Sequence, residues 1–376
     1  MDGEVRYDAA HIEVIQGLEA VRRRPGMYVG STGSRGLHGM VMGVFEHAVN
    51  ETAAGGRRAV EVTLTADGGV RITDHGPGAP FTTPADDGGP GLEDRLCHFQ
   101  GGRPPIGRDR IWAWSGSHGL TVAHALSTHL TAEVHRCGEH WIQEFACGTA
   151  LAPPVVAGPS GRSGTTFAFH PDPGIFETVD CSFAFLGERL REVAFLLPGL
   201  DVTLTDERPA DGPAVQRYRF PGGVRDLALS LAAPRHPEPP PHVLAFTSDD
   251  PRMAGVLDVA VVWTEEQRIL GYANGRATPQ GGTHLEGFRQ GLADAFAAYA
   301  RAYGPVSPGG DAAVTDRITA VVSVRLDEPE FEGATLTALG GDVVRACVQE
   351  SVRDHVLAWL AEQPERAARL MERWTA

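Results

Sequence analysis

The chain contains no lysine, so all 33 of its basic residues are arginine. That absence excludes lysine Schiff bases, lysine general bases and any lysine clamp on a phosphate. Cysteine is scarce as well. Cys97, Cys137, Cys147, Cys181 and Cys347 lack paired CxxC spacing, which argues against a cysteine zinc site or a disulfide framework. They read as reduced thiols, and no metal-ligand set is expected. No apolar run approaches the ~18 residues of a membrane span, and no basic-then-apolar leader opens the chain. A cytoplasmic protein away from membranes is the expectation. Positive charge is in deficit too, since 48 acidic residues give a net charge of −15. Arg22-Arg23-Arg24 is the single dense basic run, so DNA is not an expected partner.

What is present is ample apolar content, 42% of 376 residues, enough for two or three cored domains. The organising stretch is RITDHGPGAP, Arg71 to Pro80. A short β-type run, Val60 to Leu64 then Val70 to Ile72, leads to Asp74, and Gly76 and Gly78 follow it. A carboxylate is thereby placed at a strand end beside a turn where backbone can approach a flat ligand. Ahead of it, Leu37 to Ala54 reads as a helix with apolar Leu37, Met40, Val41, Val44, Phe45 and Ala48. Gly43, His47, Asn50 and Glu51 share a second stripe of that helix. Further helices are predicted over Ile12 to Arg23 and Val343 to Ala361.

Four more stretches occur in order: RRRPGMYVGSTGSRGLHGMV (Arg22 to Val41), SGSHGL (Ser115 to Leu120), GRSGTTFAF (Gly161 to Phe169) and TPQGGTHLEGF (Thr278 to Phe288). Together they resemble DNA gyrase B and its type IIA topoisomerase relatives, from about Tyr7 to about Arg366. The resemblance implies an α+β chain: a GHKL (Bergerat) ATPase-like sandwich with an N-terminal arm over residues 1–220, then an α/β transducer domain of ribosomal-protein-like fold over 221–376. It also implies that Asp74 reads the adenine amino group, that Gly76, Gly78 and Pro80 shape the base-binding floor, and that Arg136 and Thr165 line the base end, where aminocoumarin inhibitors also lie.

Departures from the family pattern fall where chemistry is expected. An ungapped match of GLHGMVMGVFEHAVNE puts Gly43 in place of the general-base glutamate and His47 in place of the magnesium-ligating asparagine. Glycine accepts no proton, and Mg²⁺ demands oxygen ligands. Glu46 is a nearby substitute base, but its position one residue before His47 rotates it off the stripe. His75 and Pro77 replace an acidic residue and an arginine, removing a five-donor fork from the rim. Arg103 stands for a lysine as a remaining phosphate-facing cation. Gly116, His118 and Gly119 remain of a longer glycine run that would wrap a triphosphate. In the transducer, Ala334, Thr335 and Leu336 occupy the loop whose lysine, in the family, contacts the terminal phosphate. Leucine cannot stabilise the charge of a transferring phosphoryl group.

The expected protein is a gyrase-B-like pseudo-ATPase without the DNA-cleavage half. Its pocket would bind a small molecule or a nucleotide without normal hydrolysis; ATP or ADP would be that nucleotide, no cofactor is required, and bound magnesium is not expected. The enzyme-class alternative is a metal-free cyclase, isomerase or lyase of a secondary-metabolite pathway, with His47, His75, His118 and Glu46 as acid and base beside Asp74. A third reading is a self-resistance or decoy protein for gyrase-directed antibiotics. Expected partners are a small-molecule ligand, a second copy of the chain joined through the arm around Tyr7, and a true gyrase chain.

Overall fold

The computed structural model describes residues 17–81, 91–99, 107–108, 110–111, 119–232, 243–303, 315–333 and 335–375. In the first half, α1 (Leu18–Arg23), α2 (Gly26–Val29) and α3 (Ser34–Ala53) precede the hairpin of β1 (Ala59–Leu64) and β2 (Val70–Asp74). The short helices α4 (Leu92–Cys97) and α5 (Gly119–Ala125) follow. Next come β3 (Ser127–Arg136), β4 (Glu139–Ala146), β5 (Thr149–Ala150), β6 (Val155–Pro159) and β7 (Gly164–Pro171), then α6 (Phe183–Leu196), β8 (Asp201–Asp206) and β9 (Ala214–Tyr218). These strands make one nine-stranded sheet in the order β5-β4-β3-β7-β2-β1-β8-β9, with β6 also on β4.

Alternation sets the faces of this sheet. Along β3, Leu130, Ala132 and Val134 are buried, whereas Thr131, Glu133 and His135 are half-buried. One face therefore meets the core and the other meets solvent. α3 is apolar on nearly every side and is correspondingly buried between the sheet and α5. Phe45 of α3 and Phe145, Phe167 and Phe169 of the sheet belong to one core cluster, each fully buried.

The second half opens with α7 (Val224–Ala232), six residues after β9 ends at Tyr218. A five-stranded sheet follows in the order β10-β11-β14-β12-β13, built from β10 (Val243–Asp250), β11 (Gly255–Trp263), β12 (Arg268–Ala273), β13 (Arg276–Ala277) and β14 (Ile318–Leu326). β12 and β14 are parallel, so α8 (Thr283–Tyr303) serves as their crossover. α8 packs along α9 (Asp342–Glu362), and the small ribbon β15 (Phe331–Glu332) and β16 (Ala338–Leu339) leads into α9. The terminal helix α10 spans Pro364–Thr375.

The halves share a third apolar cluster, in which Phe195 and Leu196 of α6 meet Val224 and Leu227 of α7 and Val262 of β11. Polar ties cross as well. Tyr272 Oη donates to Glu192 Oε1 at 2.9 Å, and the Arg108 guanidinium donates to both Asp327 (3.2 Å) and Asp249 (2.9 Å).

Candidate ligand pocket

β2 delivers Asp74 as its last residue, paired with Val60 of β1, and the residue is 1% exposed. Asp74 Oδ1 accepts from Gly76 N at 2.8 Å, whereas Oδ2 is buried with no hydrogen-bond partner. Burial pushes this carboxyl up to about 7; Glu51 pushes the same way, and the backbone N–H groups of Gly76 and, more weakly, Thr165 pull against both. Thr165 of β7 is 1% exposed, and its hydroxyl accepts from Ala79 N at 3.0 Å. Arg136, at the end of β3, reaches over and donates to Gly78 O at 2.6 Å. Backbones close in tightly here. A Cβ on Gly164, which sits at φ 131°, would lie 2.1 Å from Asp74 O, and one on Gly78, at φ 82°, would lie 2.4 Å from His135 O. Glycine at both positions is what lets β7, β2 and the turn after it meet.

The α3 stripe forms the adjoining wall. His47 is half-buried with its ring edge against Phe167, 5.8 Å between centroids, and its Nε2 is buried without a partner. Burial lowers the His47 pKa, so the ring is a neutral imidazole near pH 7. Asn50 is committed elsewhere: Nδ2 donates to Ile111 O at 3.0 Å and Oδ1 accepts from Ile111 N at 2.8 Å. Glu51 Oε1 accepts from Arg95 Nη1 of α4 at 3.2 Å. The polar groups of this stripe thus brace α3 against neighbouring segments.

Towards the N-terminal end of α3 a cavity of about 690 Å³ opens between the two halves, with Arg35, Gly39, Met42, Arg189, Arg276 and Leu336 among its lining residues. Asp74 does not line it. Along the helix, Gly39 and Glu51 are about 18 Å apart at 1.5 Å per residue, so the Asp74 floor and the cavity lie towards opposite ends of α3. Arg276 of β13 interacts electrostatically with Glu46, which is 3% exposed on α3.

A family model for DNA gyrase B matches residues 230–376. The chain is 36% identical to the novobiocin-resistant DNA gyrase B protein of Streptomyces niveus, across 99% of this chain and 58% of that protein. It is likewise 36% identical to the DNA gyrase B protein of Streptomyces coelicolor, across 99% of this chain and 57% of that protein. The chain therefore spans somewhat over half the length of these curated relatives. The crystal structure of the 43K ATPase domain of Thermus thermophilus gyrase B, in complex with an aminocoumarin, superposes with a TM-score of 0.79 at 30% identity, covering 95% of this chain and 93% of that domain. The chain belongs to the DNA gyrase B family. A topoisomerase IV ATP-binding domain from Francisella tularensis matches with a TM-score of 0.79 at 25% identity, covering 96% of this chain and 97% of that one. The fold is accordingly that of a GHKL ATPase region with its transducer, an α+β architecture.

This gyrase-B-family chain suits the base of a nucleotide better than its metal. An unsatisfied, buried Asp74 Oδ2 fits the exocyclic amino group of a purine. Magnesium is not matched: the stripe offers glycine at 43 and imidazole at 47, while Asn50 and Glu51 already hold Ile111 and Arg95.

Asp74, Gly76, Gly78, Pro80, Arg136 and Thr165 come together at the base end, with Pro80 O accepting from Leu92 N at 2.7 Å to anchor α4. Gly119 opens α5 and lines the cavity at the far end. Arg103, Gly116 and His118, like Tyr7 of the arm, lie outside the described residues. The proposed acid–base residues that are described are not brought together. His75 Nε2 pairs with Glu61 Oε1 at 3.0 Å on the neighbouring strand, Glu46 faces Arg276, and His47 lies against Phe167. Sequence reasoning missed Arg276 and the bracing roles of Asn50 and Glu51. The only signal for Arg276 was its place two residues before Thr278 in an otherwise matching motif.

Proposed function

We propose that the chain binds a nucleotide, or a small molecule of nucleotide-like shape, along α3 without hydrolysing ATP. The observation supporting this most is the pairing of an open, buried acceptor at Asp74 with a neutral imidazole at His47, where a metal-bound phosphate end would need oxygen ligands. Asp74 Oδ2 accepts from the base, Thr165 and Ala79 hold the floor, and Gly76 and Gly78 let it approach. Gly43 itself offers no group to take a proton from water. Glu46, which a hydrolytic reading would recruit, instead faces the arginine supplied by the transducer. Calorimetric titration with ADP and ATP, each with and without Mg²⁺, tests the reading. Binding should be indifferent to Mg²⁺ and weaken about 10- to 100-fold in Asp74→Asn, the worth of a hydrogen bond to a charged group. Magnesium-dependent binding would overturn it, and no binding of either nucleotide would remove the nucleotide as the ligand.

A second reading rests on Arg136, which bridges to Gly78 O beside Asp74 and Thr165. Relatives are described as novobiocin-resistant and as binding an aminocoumarin, and this floor suits the same class of ligand. The chain would then act as a self-resistance or decoy protein. Novobiocin titration decides it: absence of binding removes the sequestration role. Pairing of two copies through the arm, or with a true gyrase chain, is proposed on family grounds and is checked by sedimentation of the full chain.

A further inference from the structure

On the solvent-facing side of the sheet, the β3–β4 hairpin carries Glu133, His135 and His140. The chain reverses through Cys137 and Gly138, both at positive φ (52° and 85°), a two-residue turn that matches strand twist and sets the register. His140 consequently stands directly opposite His135, and Glu133, two residues back on β3, shares their face. One donor atom from each of the three lies within 4.8 Å of the other two. The imidazoles stack with centroids 4.3 Å apart and planes 19° from parallel, so one ring has to turn about its Cβ–Cγ bond for both in-plane lone pairs to meet one ion. His140 Nε2 is buried, makes no hydrogen bond, and is 3.4 Å from Glu133 Oε2. Two ligands on a tetrahedral ion with bonds of roughly 2.0–2.1 Å are themselves about 3.4 Å apart.

We propose that Glu133, His135 and His140 form a binding site for a borderline divalent transition-metal ion, Zn²⁺ in the first instance, with water in the fourth position. Two imidazoles and one carboxylate suit Zn²⁺ and exclude Mg²⁺, which requires oxygen ligands. Arg162 Nη2, which can only donate, approaches His135 Nε2, so that nitrogen carries a lone pair that a metal could take. The two nitrogens of the His135 ring have different neighbours. Nδ1 meets Ser160 Oγ at 2.8 Å, and Nε2 meets Arg162 Nη2 at 3.2 Å. Metal entry displaces the Arg162 guanidinium from Nε2, while Ser160 continues to orient the ring through Nδ1. The site adjoins Arg136, so an ion there would stiffen the strand end that caps Gly78.

The test uses the untagged full chain, stripped by chelator, then titrated with Zn²⁺ by calorimetry and with Co²⁺ by visible absorption. One ion per chain is expected, with the intense band of four-coordinate Co²⁺ and a Tm rise that chelator reverses. His135→Ala and His140→Ala should each weaken binding by at least about tenfold, since even outer partners of a ligand cost that much. Arg162→Ala should tighten binding by removing the competing cation, and Cys137→Ser should leave it unchanged. All four changes fall on the half-buried or exposed hairpin region, and circular dichroism checks that each variant folds. Absence of stoichiometric binding, or binding that survives the double histidine variant or vanishes in Cys137→Ser, would overturn the proposal.

Discussion

At one end of α3, Asp74, Thr165, Gly76, Gly78 and Gly164 are locked together by backbone contacts; at the middle and far end, Gly43, His47 and Leu336 occupy places where charge would have to be managed. The first set is part of the core. A change at Gly164 or Thr165 disturbs the packing of β7 on β2, so the floor persists as long as the fold does. The second set is less tightly held, although His47 still lies against Phe167. Polar residues there could be exchanged, or turned to bracing as Asn50 and Glu51 are, without loss of the sheet. Shape at one end of α3 and chemistry at the other are therefore separable.

The sharpest way to break this contrast is through pH. The folded Asp74 pKa, about 7, lies above its unfolded value of 3.8. Between those values the native state holds a proton that the unfolded chain has released, so the stability contributed by this group falls as pH rises from about 4 to 7 and is flat above. A shift of this size corresponds to about 4 kcal/mol. Denaturant melts at stepped pH should show that slope in the wild type and its loss in Asp74→Asn. A ligand donating to the ionised carboxylate should conversely bind more tightly as pH rises through 7.

Gly164→Ala comes next, with about 3 kcal/mol of destabilisation from positive φ and collision with Asp74 O. Gly161→Ala, in open space three residues earlier, serves as the control and should stay within about 0.5 kcal/mol. Asn50→Ala should cost about 2 kcal/mol, because it strips both partners from the Ile111 backbone. If Asn50 served a ligand instead of the fold, that variant would melt with the wild type and bind more weakly. Thr165→Val should cost about 1 kcal/mol by leaving Ala79 N–H without its acceptor.

Much of the pocket's frame could be read from residue order. The β-run into Asp74, the glycines after it and the periodicity of α3 are local signals, and each element formed where they point, with α3 spanning Ser34–Ala53 and α9 Asp342–Glu362. What could not be read depends on contacts between distant segments. Asn50 meets Ile111 across a separation of 61 residues, and Glu46 faces Arg276 from the other half of the chain. Glu46, His47 and His75 were plausible partners by the places they take in the family pattern, yet strand and helix geometry send them to three different neighbours. The Glu133–His135–His140 cluster was invisible for the same reason, since it exists only once a positive-φ turn sets the register of β3 on β4.

The central claim is that the floor binds while the phosphate end does not turn over. Single-turnover and steady-state phosphate release from ATP, measured with and without Mg²⁺ on the full chain and on Asp74→Asn, tests it most directly. The predicted result is nucleotide bound through Asp74 with phosphate release at the uncatalysed background under every condition. Magnesium-dependent phosphate release that is lost in Asp74→Asn would contradict it.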